Sequence, residues 1–147
     1  MKKLVKHLIT AKFVTLRERD RIYEAVEKIA KDRETMIGCV VDEENRLKGL
    51  ITPKDLLRVL EVRGYGTIEH HHFEGPGVLH LLTSEYARDI MCAPVSVRKH
   101  DEVRKAIDIM VDQGFYEVPV VDEEGRVMGV INYFDIIVDA VEHLKRE

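Results

Sequence analysis

The chain carries one stretch twice. Residues 40–55 and 120–135 align at a constant offset of 80 positions, and nine of the sixteen positions are identical. A repeat of roughly 60 residues has a thin core alone, so the two copies are expected to cover each other. The differences inside the stretch are informative too. Asn45 faces Gly125, the two residue types that best tolerate a positive φ in a tight turn.

Upstream the copies still match, at an offset of 81. Ile22, Ala25, Val26 and Ile29 line up with Val103, Ala106, Ile107 and Met110. Each set has the i, i+3, i+4, i+7 spacing of one buried helix face. Asp20 and Asp101 precede these helices as expected N-caps. Residues 13–16 and 94–97 read as short strands before them. Residues 37–42 and 118–122 read as middle strands, joined by tight turns to strands 47–51 and 127–131. Closing helices follow, with Leu56, Leu57, Val59 and Leu60 in one copy and Ile136, Ile137, Ala140, Val141 and Leu144 in the other. Each copy is thus β-α-β-β-α. The fold class is α/β (α+β in some schemes), with helices packed on a small mixed sheet. The expected organisation is a first repeat over 1–60, a connector over 61–88 and a second repeat over 89–147.

Composition narrows the function. With 23 Lys+Arg against 27 Asp+Glu, the formal charge is −4, which argues against a dedicated nucleic-acid binder. No apolar run reaches the roughly 20 residues of a membrane span, and no export-type apolar region follows the basic start. A cytoplasmic protein is expected. Cys39 and Cys92 sit among apolar neighbours and are expected as reduced thiols. Asn45, Asn132 and Gln113 are the only side-chain amides beside 34% charged residues, a composition that points to a thermophilic source.

The repeated pattern resembles a tandem pair of CBS domains, the cystathionine-β-synthase type repeat, together called a Bateman module. The residues that carry the resemblance are the Val-Val-Asp hairpin strands, the Gly49–Asp55 stretch with its partner at 129–135, and the opening segment Ile90-Met91-Cys92-Ala93-Pro94-Val95-Ser96-Val97. The resemblance implies two repeats packed about a pseudo-twofold axis, with two clefts between them. It implies a regulatory module without catalytic activity that takes an adenosine-containing ligand: AMP, ADP, ATP or S-adenosylmethionine. It also implies a homodimer and a separate effector protein.

The residues allow two compatible roles for the acids that end the repeated stretch. Thr52-Pro53-Lys54-Asp55 has a cap, a Pro at N1 and an acid at N3, the signature of a helix start. Asn132-Tyr133-Phe134-Asp135 repeats it with Asn as cap. An ionised Asp there can also accept hydrogen bonds from two adjacent ribose hydroxyls, and the resemblance makes it the ribose-binding position.

By the same resemblance the favoured site combines Thr52, Lys54 and Asp55 with Ile90, Val95, Phe115 and Tyr116. Thr52 would donate to a phosphate, Lys54 would neutralise one, and the apolar set would hold adenine. Lys54 is the one evident phosphate-neutralising residue, which favours AMP. The second, weaker site combines Asn132 and Asp135 with Ile9, Val14, Thr35 and Met36. There Asn132 replaces Thr and Phe134 replaces Lys54, and Glu117 stands where a basic residue is common. An acid would repel a polyphosphate by about 1 kcal/mol at contact distance even in water. That site is expected to be empty or to take a less charged adenosyl ligand.

His70, His71, His72 and His80 offer enough imidazoles for a zinc or nickel site, but consecutive side chains diverge, and a solvated or interface loop is the plainer expectation. Arg63, His70 or His72 could instead reach a bound phosphate. No Gly-x-Ser-x-Gly, phosphate-loop or dinucleotide fingerprint is present. The alternative readings are a ligand-free interaction scaffold with Asp55 and Asp135 only capping helices, and a metal-responsive module using the connector histidines.

Overall fold

A computed structural model describes residues 3–31, 36–64 and 83–146, with the backbone alone at 62–64. In the first repeat β1 (Val14–Arg17) leads into α1 (Ile22–Lys31), then β2 (Gly38–Val41), β3 (Leu47–Ile51) and α2 (Pro53–Gly64). A short helix α3 (Ala87–Ile90) opens the next segment. The second repeat contains α4 (Val103–Gln113), β4 (Glu117–Val121), β5 (Val127–Asn132) and α5 (Tyr133–Lys145). The first sheet runs β1-β2-β3, with β1 parallel and β3 antiparallel to β2; the second is the antiparallel pair β4-β5.

The two hairpins are built alike. Both have a register shift at equivalent places, between Val40 and Val41 and between Val120 and Val121. Asn45 (φ 66) and Gly125 (φ 82) occupy the positive-φ position. In each turn the first Asp accepts backbone amides two and four residues on, from Glu44 and Arg46 and from Glu124 and Arg126, all at 2.9 Å. Those amide bonds, from Arg46 first, hold the Asp42 carboxyl below its ordinary value.

The repeats exchange their leading segments. Leu50 and Cys92 exchange backbone hydrogen bonds of 3.1 and 2.9 Å, and Thr10 and Val130 exchange two of 2.9 Å. These are the same contact in each copy. Gly49 and Gly129 permit it. A Cβ on Gly49 would stand 2.5 Å from Met91 Sδ and 2.9 Å from the Cys92 carbonyl; one on Gly129 would stand 2.3 Å from the Thr10 carbonyl. The hairpin tips also join across the axis, Leu47 N–H to Gly125 O at 2.9 Å and Val127 N–H to Asn45 O at 3.1 Å. Between the repeats lies a shared apolar cluster of Ile37, Cys39, Val41, Leu50, Val121, Val127 and Val130. The molecule is therefore two repeats packed as a pseudo-twofold pair.

Several sequence expectations need correction. Asp20 and Asp101 do not cap their helices. The exchanged segments do, because the Ile22 amide donates to Glu85 O at 3.2 Å and the Val103 amide to Lys3 O at 2.9 Å. The two Asp carboxylates instead accept the Arg17 and Arg98 amides at 2.9 and 2.8 Å and pair with Lys28 and Lys105. The expected strand at 94–97 shrinks to a single parallel bridge, Val97 with Val120. Pro94 has no amide to donate, and Cys92 just before it is committed to the other repeat. Among the described side chains of the closing helices only Leu56 and Val59 are buried. Leu57, Leu60, Ile137, Ala140, Val141 and Leu144 all face outward, as does Ile107 on α4.

Gly129→Ala is expected to cost about 2 kcal/mol in chemical denaturation, the scale of an overpacked site with no flexible neighbour to yield. Gly114→Ala meets only a positive φ, with open space around its Cβ. It should cost roughly 1 kcal/mol. The reverse order would refute the close approach of the exchanged segment.

Candidate functional site

The first candidate site sits at the start of α2. Asp55 N–H donates to Thr52 Oγ1 at 3.3 Å, while the Thr52 amide and hydroxyl both donate to Asp55 Oδ2 at 2.9 Å. This is a reciprocal capping box. It uses one carboxylate oxygen, and all the hydrogen bonds recorded for Asp55 among the described residues fall on Oδ2. Asp55 is half-buried and Lys54 is exposed.

The exchanged segment from the second repeat forms the facing wall. Cys92 Sγ donates to Leu50 O at 3.3 Å. Ile90 packs on the first-repeat cluster that contains Leu56. Val95 and Phe115 pack on the shared cluster that contains Leu50. Ile90 thus lies against the first-repeat core and Val95 and Phe115 against the shared one, while the Asp55 charge is felt at Cys92. Burial, and then the Asp55 charge, push the Cys92 thiol up from its ordinary value. The Tyr116 ring packs on Tyr133 at 5.1 Å between centroids, at the foot of α5.

The second site has a different start. Asn132 Oδ1 accepts the Phe134 amide at 2.7 Å and so caps α5. The Asp135 side chain does not fold back on its cap; it is exposed and makes no hydrogen bond among the described residues. Ile9 lies against Gly129 and the second-repeat cluster, whereas Val14 packs on the first-repeat cluster. The Met36 amide donates to Glu117 Oε1 across the axis.

Glu117, read from the sequence as an acid standing where a basic residue is common, lies inside the fold. It is only 2% exposed. β-Register puts it opposite Asn132, and the Met36 amide satisfies one of its oxygens, as a buried carboxylate requires. Burial first, and the Glu117 charge second, push the Cys39 thiol up to about 12. Thr35 and the four connector histidines lie outside the described residues, as does the Arg63 side chain.

The sequence reading did not identify Gly49 and Gly129 as the points where the exchanged segments cross. The available signal was their identity in both copies at the fixed offset. Two grooves of about 610 and 980 Å³ lie between the helix pairs of the two repeats and contain neither Asp55 nor Asp135. They follow the helix faces, not the clefts.

The model of the CBS domain matches residues 5–62 and 87–142. The chain belongs to the CBS-domain family. A CBS domain-containing protein from Thermotoga maritima has a solved structure with 30% identity and a TM-score of 0.76, covering 95% of this chain and 93% of that one. An uncharacterised protein of Methanopyrus kandleri is 36% identical over 116 residues, 77% of this chain and 52% of that protein. The cytosolic domain of the Mg2+ channel MgtE, solved in complex with ATP, is 28% identical with a TM-score of 0.67, covering 92% of this chain and 48% of that one. The chain spans about half or less of the first curated relatives it matches. Among its described residues no helix is long and apolar enough to cross a membrane.

The two thiols of this CBS pair should separate in a native titration with a disulfide reagent at pH 8. Cys92, half-buried, is expected to react slowly, and Cys39 only when denaturant opens the shared cluster. Equal rates would contradict the burial described.

Proposed function

We propose that this CBS pair is a non-catalytic regulatory module that binds an adenosine-containing ligand between its repeats, with the Asp55 site preferred and AMP favoured over ADP, ATP and S-adenosylmethionine. The observation that carries this reading is Asp55 itself. It is half-buried at a helix start, with one oxygen engaged by Thr52 and the segment around Cys92 close by. The Oδ1 oxygen remains to accept a ribose hydroxyl. Lys54, exposed on the same turn, supplies one cation for one phosphate. The ATP held by the MgtE cytosolic domain supports the same class of ligand.

Binding would be felt at the inter-repeat contact, because the wall facing Asp55 is the exchanged segment that continues into the second repeat. A ligand shifts the angle between them only by its differential affinity for the two arrangements. The effector that reads the change is a separate protein in the cytoplasm, and a second copy of the chain is part of the assembly. α5 supports the second copy. None of its residues is buried, and Phe134, Ile137, Val138, Val141 and Leu144 are exposed along it. A contiguous apolar stripe of this kind on a monomer marks an interface.

Asp55→Ala should weaken AMP binding in calorimetry by about 1.5–3 kcal/mol, the scale of charge-assisted hydrogen bonds. A parent protein that stays silent to AMP, ATP and S-adenosylmethionine would leave the carboxylate as a helix cap alone and favour the scaffold reading. In sedimentation velocity the parent is expected as a dimer, and Ile137→Lys with Val141→Lys as a folded monomer. A dimer unmoved by both changes would place the interface elsewhere.

A further inference from the structure

Tyr86, which belongs to neither candidate site, gathers three cations. The guanidinium carbons of Arg21 and Arg88 stand 5.1 Å from the centroid of its half-buried ring, and that of Arg19 stands 5.9 Å away. Backbone hydrogen bonds bring them there. The Ile22 amide donates to Glu85 O at 3.2 Å, and the Ala87 and Arg88 amides donate to Asp20 O and Glu18 O at 2.8 and 3.0 Å. All three arginines are exposed. Arg19 makes no ion pair among the described residues, Arg21 reaches the exposed Glu85 at 3.7 Å, and Arg88 reaches Asp89 at 4.0 Å.

The other end of the molecule shows that the fold does not require this cluster. There the Val103, Val5 and Lys6 amides donate to Lys3 O, Asp101 O and Lys99 O, each at 2.9 Å. In that matching contact Leu4 stands for Tyr86, His100 for Arg19, Glu102 for Arg21 and Lys6 for Arg88. The backbone contact is the same, with neither ring nor guanidinium. A guanidinium laid on a ring is held in orientation while its edge N–H groups stay outward. That planar fork fits a carboxylate through two parallel hydrogen bonds.

We propose that the Tyr86 surface docks an acidic segment of a partner protein, whose carboxylates are bound by the guanidinium groups of Arg19, Arg21 and Arg88. The inference rests on the proposed function only in taking this partner for the effector. The phosphates of a nucleic acid fit less well. Glu18, Glu85 and Asp89 interrupt the basic surface and the chain carries −4 overall, whereas a phosphate backbone needs a continuous basic track. The guanidinium groups also stand where a base would stack on the ring. The position suits a regulatory contact. Tyr86 immediately precedes α3, and α3 leads to the Cys92 crossing, where the Asp55 charge is felt.

The test is fluorescence anisotropy on the full chain at low salt, with a labelled decaglutamate peptide and labelled decathymidylate as probes. The peptide is expected to bind more tightly than the oligonucleotide. Arg19→Ala, Arg21→Ala and Arg88→Ala together should weaken it about tenfold, the combined scale of three exposed charge pairs. Two variants separate a built surface from net charge alone. Replacing the same three arginines by lysine keeps every charge, and Tyr86→Leu installs the residue type used at the other end, so both should fold. Each is expected to weaken the peptide roughly threefold. Lys3→Ala with Lys6→Ala, at the other end, should leave it unchanged. The proposal is overturned by a peptide that does not bind, by binding that either the lysine variant or Tyr86→Leu leaves unmoved, or by an equal loss on changing Lys3 and Lys6. Tighter binding of decathymidylate through the same arginines would overturn it too and make the surface a nucleic-acid site. A parent that binds the peptide but stays silent to adenosine ligands sinks the proposed function and leaves this surface standing. A parent that binds AMP but not the peptide does the reverse.

Discussion

The molecule depends on two short exchanges of backbone hydrogen bonds, Leu50 with Cys92 and Thr10 with Val130. Each joins the outer strand of one repeat to the leading segment of the other. A repeat alone would leave that strand edge unpaired, and an exposed edge invites association with other chains. It would also expose half of the cluster formed by Ile37, Cys39, Val41, Leu50, Val121, Val127 and Val130. Each exchange needs a Cα without a side chain at the crossing. That is why Gly49 and Gly129 stand one residue before Leu50 and Val130. The leading segments then provide the carbonyls that start α1 and α4. Edge pairing, core and helix starts in each half are thus completed by the other half.

The candidate sites inherit this arrangement. Asp55 is placed by the first repeat, while Ile90 and Val95 come from the segment that leads the second. At the axis the Met36 amide donates to the Glu117 carboxylate and so joins the repeats. That contact lies next to Asn132 in register, so the second site is connected to the axis through one strand pair.

Most of the fold was legible in the sequence because its determinants are local. The hairpins follow from Asp42 and Asp122 with Asn45 and Gly125, and strand β3 is found over 47–51 as expected after the turn. The capping roles of Thr52 and Asn132 follow from residue type and spacing. What the sequence did not disclose is long-range. Asp20 and Asp101 have the right residue type for a cap, but the amides they would satisfy are taken by carbonyls from segments far away in the chain. Leu57, Leu60 and Ile137 have the spacing of a core face, yet periodicity says only that a face is apolar, not whether this chain or another covers it. The burial of Glu117 was not read from the sequence, because nothing in its neighbourhood announces Met36. Placing Tyr116 by resemblance missed its stacking on Tyr133, a contact decided by side-chain rotation.

The identities and differences between the copies sort by what each position must do. Asp42 and Asp122 hold turns, and Gly49 and Gly129 admit a crossing backbone. Val40, Val41, Ile51 and their partners fill the core. These requirements belong to the shared geometry, and the same residue meets them in both places. Thr52 against Asn132 is a difference the fold tolerates, since either side chain caps a helix. Lys54 against Phe134 lies on an exposed turn, where the backbone makes no demand. Ile37 against Glu117 is different in kind. A buried carboxylate in place of an apolar side chain carries a desolvation cost that an isoleucine would avoid, and the Met36 amide is one of the contacts that offset it. The charge is thus held at one of two equivalent positions against the preference of the core. That position borders a helix start whose acid is open to solvent, and the chemistry gained there is the physical ground for treating the two sites as unlike.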